Sequence, residues 1–373
     1  MEQKKVGVLT FHASHNYGSC LQAYALQTTL KKLGVQPEII NFRTARQKDA
    51  YAVFTKRKGL KYLLKNAARL LYYASLKKRH QLFENFIKKE YRLSPQEYAT
   101  AEELETVAFD YQAVIAGSDQ IWNPRPADFD WAYYLPFVKD AKKISYAPSF
   151  GPFFGNEQND KTQQIVEKIN KFHAVSVREA QGKAYLQQHT DKDITVTLDP
   201  TLLLTKEDWM PLVKSEPIVQ GDYIFLYTLF SSPEINQIAK RLSKKLNTKV
   251  VVSNFSNQYD VITPYKKHFD TGPKEFLNLI YHAKFVLVTS FHGTVFSVLF
   301  EKPFLAINGD KDNRISNLLA LTGLTDRTVH VDDVEEKAVL PIDFSAAESG
   351  LQKEREKSLA FLKNALELND DDM

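Results

Sequence analysis

Residues 285–307 read FVLVTSFHGTVFSVLFEKPFLAI. The run 285–289 is short and apolar, as expected of a strand buried on both faces. A helix is expected from about residue 294 to 301, and a second apolar run follows at 304–307. Working outward, the same alternation recurs. Strand-like runs at 223–229 and 249–253 and helix-like segments at 234–246 and 273–283 precede this stretch. Nearer the start, residues 5–11 read as a strand, 20–33 as a helix closed by Gly34, and 38–42 as the next strand. Strands at 112–116, 143–147, 174–177 and 194–198 complete the first series, which Asp199-Pro200 closes. Repeated strand–helix–strand units predict an α/β chain of two Rossmann-like open-sheet domains, mostly parallel, with helices on both faces.

A length of 373 residues exceeds what one core usually organises. The expected division is an N-terminal domain over 1–210, a linker over 211–222 that holds Pro217 and Gly221, and a C-terminal domain over 223–345. A terminal helix, 346–368, follows and can return to the first domain; an acidic tail, 369–372, ends the chain. Residues 55–92 stand apart as a basic helical insert, with Lys56, Lys58, Lys61, Lys65 and Arg69 interleaved among Leu60, Leu63, Leu64, Leu70 and Leu71. Such a segment fits either a helix lying on an anionic membrane surface or a long surface helix packed by its apolar stripe.

Composition narrows the setting. A net charge of +4 is mild for this length and does not predict a nucleic-acid partner. Cys20 is the single cysteine, so no internal disulfide can form, which points to a reducing compartment. The opening residues read as a first strand and not as a signal peptide, and no apolar run reaches transmembrane length. The expected location is cytoplasmic, with the inner face of the plasma membrane as a peripheral site for the basic segment.

Ligands of open α/β sheets bind beyond the carboxyl ends of the strands, and four such ends carry unusual residues. The first holds His12, His15, Asn16, Gly18 and Cys20. Gly18 and Ser19 suit a turn into a helix whose N–H groups meet a ligand, and Cys20 is either a nucleophile with a histidine base or a packed thiol. The second is Gly117-Ser118-Asp119-Gln120-Ile121-Trp122-Asn123. Asp119 is suited to accept a proton from a substrate hydroxyl or to hold a sugar; the alternative is a helix cap with Trp122 as a core anchor. At the third, Arg178 presents a planar fork to a carboxylate or phosphate, or else pairs with Glu179. The fourth, Ser290-Phe291-His292-Gly293-Thr294, places an imidazole at a helix mouth, where it can exchange a proton beside an anion. Arg314 adds a further cation downstream. No His, Cys, Asp and Glu set has metal-ligand spacing, so no metal or other cofactor is expected.

Taken in order, these motifs make the chain resemble the polysaccharide pyruvyl transferases. The resemblance rests on Asn16-Tyr17-Gly18 with Leu21-Gln22-Ala23-Tyr24, the 117–123 block, Ser176-Val177-Arg178-Glu179, Leu198-Asp199-Pro200-Thr201, and 290–294 followed by Lys302-Pro303. It implies a fold like that of two-domain GT-B glycosyltransferases. It also implies transfer of the pyruvyl group of phosphoenolpyruvate to two hydroxyls of a sugar, in a cell-wall or exopolysaccharide glycan or its lipid-linked precursor. On this resemblance His292 and Asp119 are the catalytic candidates. Arg178, Arg314, Asn16, Gly18, Ser118, Gln120, Trp122, Asn123, Ser290, Gly293 and Thr294 are the candidates for binding substrate. Many members carry an arginine two residues before the histidine; here it is Ser290, so either Arg314 or Lys302 supplies that charge or the donor differs. A nucleotide-sugar glycosyltransferase and a non-catalytic glycan-binding protein remain the alternatives.

Overall fold

The computed structural model of the chain describes residues 3–56, 58–126, 128–151, 160–229, 232–253 and 265–368. One sheet holds β1 (Lys5–Leu9), β2 (Gln36–Phe42), β3 (Leu93–Tyr98), β4 (Ala113–Ala116), β5 (Lys142–Ser145), β6 (Ala174–Val177) and β7 (Ile194–Val196). Its order is β3-β2-β1-β4-β5-β6-β7. The other holds β8 (Tyr223–Tyr227), β9 (Lys249–Val252), β10 (Lys266–Lys267), β11 (Phe285–Val288), β12 (Phe304–Ile307) and β13 (Thr328–Val329). These run β10-β9-β8-β11-β12-β13. Neighbours are parallel in both sheets, as the alternation predicts.

The central strands β4, β8, β11 and β12 are buried at every position, because helices cover both faces of a parallel sheet. That is why they read as unbroken apolar runs. Edge strands lack this signature. β3 exposes Pro95, Gln96 and Glu97, and proline is tolerated there because an edge strand has N–H groups with no ladder to join. β10 and β13 have two residues each, too few to show a period. None of the three was anticipated from sequence.

By contacts the chain forms two compact units: Met1–Tyr51, Ile87–Leu204 and Lys353–Met373 in the first, Ala52–Phe86 and Thr205–Gln352 in the second. This corrects the expected division in two places. Most of the basic segment packs with the second unit: Leu76 joins its core, the Tyr72 ring meets Phe269 edge-on at 5.2 Å, and Lys78 pairs with Asp270 at 2.8 Å. Residues 211–222 are no linker. Asn278 Nδ2 donates to the carbonyls of Lys214 and Glu216 at 2.9 and 3.0 Å, and its Oδ1 accepts from the Ile218 amide at 3.0 Å. The terminal helix, Phe344–Leu366, contributes to the second unit up to Gln352 and to the first from Lys353 onward. There Arg355 Nε donates to Leu202 O at 2.9 Å and Lys4 Nζ to Leu366 O at 3.1 Å. The acidic tail lies outside the described residues.

Strand order reverses between β1 and β4 in the first sheet and between β8 and β11 in the second. Connections leave in opposite directions from such a pair, so each sheet opens a crevice at the carboxyl ends of those strands.

Candidate functional site

At the first crevice the loop after β4 carries Asp119, whose φ is +74°. The left-handed region is uncommon for residues with a Cβ, though aspartate enters it more readily than most. Its surroundings hold it there. The Asp119 carbonyl accepts from the Ser149 amide at 2.8 Å, Oδ1 accepts from the Gln120 amide at 2.8 Å, and Oδ2 accepts from Ser19 Oγ at 2.5 Å. A backbone outlier fixed from several sides is the kind of strain that functional sites store.

Behind Asp119 lies a buried charge network. Arg178 Nη1 donates to Asp199 Oδ2 at 2.8 Å and Nε to Glu179 Oε1 at 2.9 Å. Asp199 also accepts from Ser118 Oγ at 3.1 Å and from the Thr201 amide and hydroxyl at 3.0 and 2.7 Å. Burial by itself lowers the Arg178 pKa, but Glu179, Asp199 and Asp119 outweigh it and raise it, so the guanidinium stays charged. Sequence reasoning offered substrate anion and Glu179 as alternative partners; the structure shows Glu179, and adds Asp199, which was not nominated. Ser118 is fully buried and belongs to this network.

Asp128 is a second residue that was missed. Its Oδ2 accepts from Ser14 Oγ and Tyr51 OH, both at 2.6 Å. Burial pushes its carboxyl above the ordinary range and the nearby Asp119 charge adds to this, against the two hydrogen bonds that lower it. Nothing local marks it, since it sits in an irregular stretch and its partners arrive from the loop after β1 and from the helix Ala45–Tyr51. With Asp119, Glu179 and Asp199 around Arg178, and Asp128 close to Asp119, this edge suits sugar hydroxyls better than a phosphate.

Several nominated residues have structural tasks. Asn16 caps the helix Tyr17–Lys32, its Oδ1 accepting from the Gly18 and Ser19 amides at 2.9 and 3.4 Å. The Gly18 N–H expected to meet a ligand therefore already has an acceptor. Trp122 is fully buried, stacked on Tyr134 with centroids 5.2 Å apart, and serves as the core anchor. Gln120 Oε1 accepts from Asn123 Nδ2 at 2.7 Å, and Gly151, at φ +79°, lies against both side chains. Cys20 is fully buried, its thiol 3.3 Å from Ser14 O, a packed group and no accessible nucleophile.

His12 is also fully buried, with Nε2 3.1 Å from Asn41 Oδ1 and Nδ1 3.3 Å from Thr10 O. Burial drives its pKa down from 6.5 to about 4, although both hydrogen bonds pull it up. Above pH 6.5 the ring is neutral folded or unfolded, and its contribution is intact. As pH falls toward 4 the unfolded chain takes up a proton that the folded chain refuses, and stability drops. The expected loss is about 3 kcal/mol, at roughly 1.4 kcal/mol per pH unit. Denaturant titrations of wild type and His12→Asn between pH 7 and 4 check this; parallel curves would refute it.

At the second crevice Ser290 ends β11 as the cap of the helix Phe291–Leu299, Oγ accepting from the Gly293 amide at 3.0 Å. The helix starts three residues earlier than expected, so His292, half-buried, lies in its first turn. Thr294 is fully buried, its hydroxyl donating to Ser290 O at 3.1 Å. A Cβ on Gly293 would lie 2.7 Å from Val288 Cγ1, 2.9 Å from Ser290 Oγ and 3.0 Å from Tyr227 Cδ1. Gly293→Ala should thus lift the helix start and cost about 1–3 kcal/mol, read by denaturant unfolding. Arg314 follows β12 at the same sheet edge, but Nε and Nη2 are held by both oxygens of Asp312, at 2.9 and 2.6 Å. Lys302 precedes β12 and so lies at the opposite edge; it cannot replace the missing arginine at Ser290.

The family model for polysaccharide pyruvyl transferase matches residues 16–311, most of the chain, with three of the four strand-end motifs whole and the first from Asn16 onward. The chain belongs to the polysaccharide pyruvyl transferase family. As a member of that family it is a transferase whose acceptors are sugars or glycans. No curated protein matches it. Among solved structures it is similar to the UDP-GlcNAc 2-epimerase of Methanocaldococcus jannaschii, in complex with UDP-GlcNAc and UDP, with TM-score 0.52, 13% identity, and 99% of this chain and 100% of that one covered. It is also similar to the UDP-N-acetylglucosamine 2-epimerase of Rickettsia bellii, with TM-score 0.53, 10% identity, and 98% of each chain covered. At such identity the likeness is one of fold, and it bears out the two parallel-sheet α/β domains. Among the described residues no helix is long and apolar enough to cross a membrane.

Proposed function

We propose that this pyruvyl transferase family member moves the pyruvyl group of phosphoenolpyruvate onto two hydroxyls of a sugar, in a cell-surface glycan or its lipid-linked precursor. The methylene carbon gains a proton and a first sugar oxygen bonds to the central carbon, losing its own proton. A second hydroxyl then forms the other C–O bond as the C–O bond to phosphate breaks, its proton passing to the departing phosphate, which leaves a cyclic ketal and free phosphate. His292, half-buried in a first helical turn, is the acid–base group. Asp119 orients or deprotonates the first hydroxyl. The observation that carries this reading is its carboxylate, clamped in left-handed backbone at the β1/β4 switch point within the family's matched region. Arg178 acts from behind, its cation fixing the acidic edge. The donor's phosphate competes with Asp312 for Arg314, because Ser290 offers a cap and no charge.

Thermal-shift titration with phosphoenolpyruvate, uridine diphosphate and inorganic phosphate tests the donor. A specific ligand at 100 times its Kd stabilises by about 2.7 kcal/mol. Stabilisation by phosphoenolpyruvate beyond that by phosphate supports the reading, and acceptor-dependent phosphate release completes it. Stabilisation by the nucleotide alone would replace this donor with a nucleotide sugar.

A further inference from the structure

The helix Leu60–Leu70 is turned inside out. Two of its polar side chains face the protein: Asn66 bonds the Thr55 amide and carbonyl at 3.2 and 3.0 Å, and Arg69 Nη1 donates to Ala52 O and Val53 O at 3.2 and 2.9 Å. Its apolar face is bare. Leu60, Leu63, Leu64 and Leu70 are 72, 66, 59 and 64% exposed, and Leu71 and Tyr73 extend the patch at 75 and 43%. An ordinary surface helix does the reverse, so burial within its own unit explains neither the spacing of these leucines nor their exposure.

The charge around the patch says what covers it. From Ala50 to Phe83 the chain has no Asp or Glu, and it carries Lys56, Lys58, Lys65 and Lys77, all exposed, beside the leucines. A helix with leucines outward and lysines at their flanks matches a bilayer interface, where apolar side chains enter the acyl boundary and ammonium groups stay among anionic head groups. The next helix, Tyr73–Glu90, ties the segment to the second unit, where Arg79 Nη1 reaches Thr271 O at 3.4 Å, and the Phe54 and Tyr73 rings stack across the segment at 5.6 Å.

We infer that the Leu60–Leu71 face is a docking surface for an anionic lipid bilayer. This goes beyond the proposed reaction and does not depend on the donor. The test is co-sedimentation of the full chain with phosphatidylcholine vesicles, with and without phosphatidylglycerol, in the absence of substrates. Binding is expected only to the phosphatidylglycerol vesicles, weakening as salt rises. The variant Leu60→Ser/Leu63→Ser/Leu64→Ser/Leu70→Ser should bind at least tenfold less at a nearly unchanged unfolding midpoint, because those side chains are mostly exposed. Lys56→Gln/Lys58→Gln/Lys65→Gln should lose the preference for phosphatidylglycerol. Wild type that ignores phosphatidylglycerol vesicles overturns the inference, as does a quadruple variant that binds like wild type. So does a wild-type dimer, blind to vesicles, that the quadruple variant converts to monomer; the face would then join two copies of this chain.

Discussion

His292→Ala loses about 10²–10⁴-fold in acceptor-dependent phosphate release from phosphoenolpyruvate, at unchanged stability. The size follows from the chemistry. Carbon protonation of an enol ester is slow without a positioned acid, and among the nominated groups of the second crevice this imidazole is the one suited to give and take a proton. Stability is spared because the helix cap is made by Ser290 Oγ and the Gly293 amide, neither of which needs the ring. Pre-steady-state phosphate release with saturating acceptor separates the chemical step from donor binding. Wild-type turnover by the variant would remove His292 from the reaction.

Arg178→Ala has its largest effect on the fold, a loss of about 3–5 kcal/mol in unfolding free energy. Asp199 and Glu179 lie almost wholly out of solvent, and removing their common cation strands two carboxylates beside Asp119. Equilibrium denaturation reads the loss, and amide exchange along β6 and β7 localises it. Arg178→Lys should recover part of the stability, since an ammonium restores the charge but cannot span two carboxylates with a planar fork. If Arg178 served only to bind the donor, the Ala variant would raise KM for phosphoenolpyruvate at native stability, and that outcome would refute the network's structural weight.

The second expectation illustrates why half of the site was legible. Asp119, Arg178 and His292 each follow a buried strand that its own apolar run announces, and polar residues just past such a run stand out in one dimension. Asp128 and Asp199 differ. Asp128 sits in a stretch with no period, and its meaning comes from Ser14 and Tyr51, more than seventy positions away in sequence. Asp199 follows β7 in plain view but read as a turn residue, because its ligands Ser118 and Arg178 come from other strand ends. Conversely Trp122, Asn16 and Arg314 were nominated for their chemistry, and the structure shows them in a core stack, a helix cap and an ion pair.

The sequence by itself determined the class of the fold. Four-residue apolar runs such as those of β4 and β11 can be satisfied only by a sheet covered on both faces, and the helical segments between them impose parallel order. Only the tertiary structure decided which unit owns each amphipathic helix, because periodicity marks an apolar face without naming the surface that receives it. Residues 60–71 show the limit most clearly. Their leucine stripe fits a packed face or a membrane-facing one, and the bonds of Asn66 and Arg69 to the 52–55 backbone accompany a stripe turned outward. Hydrogen bonds spanning 11 to 17 positions, which leave no trace in helical spacing, go with that choice.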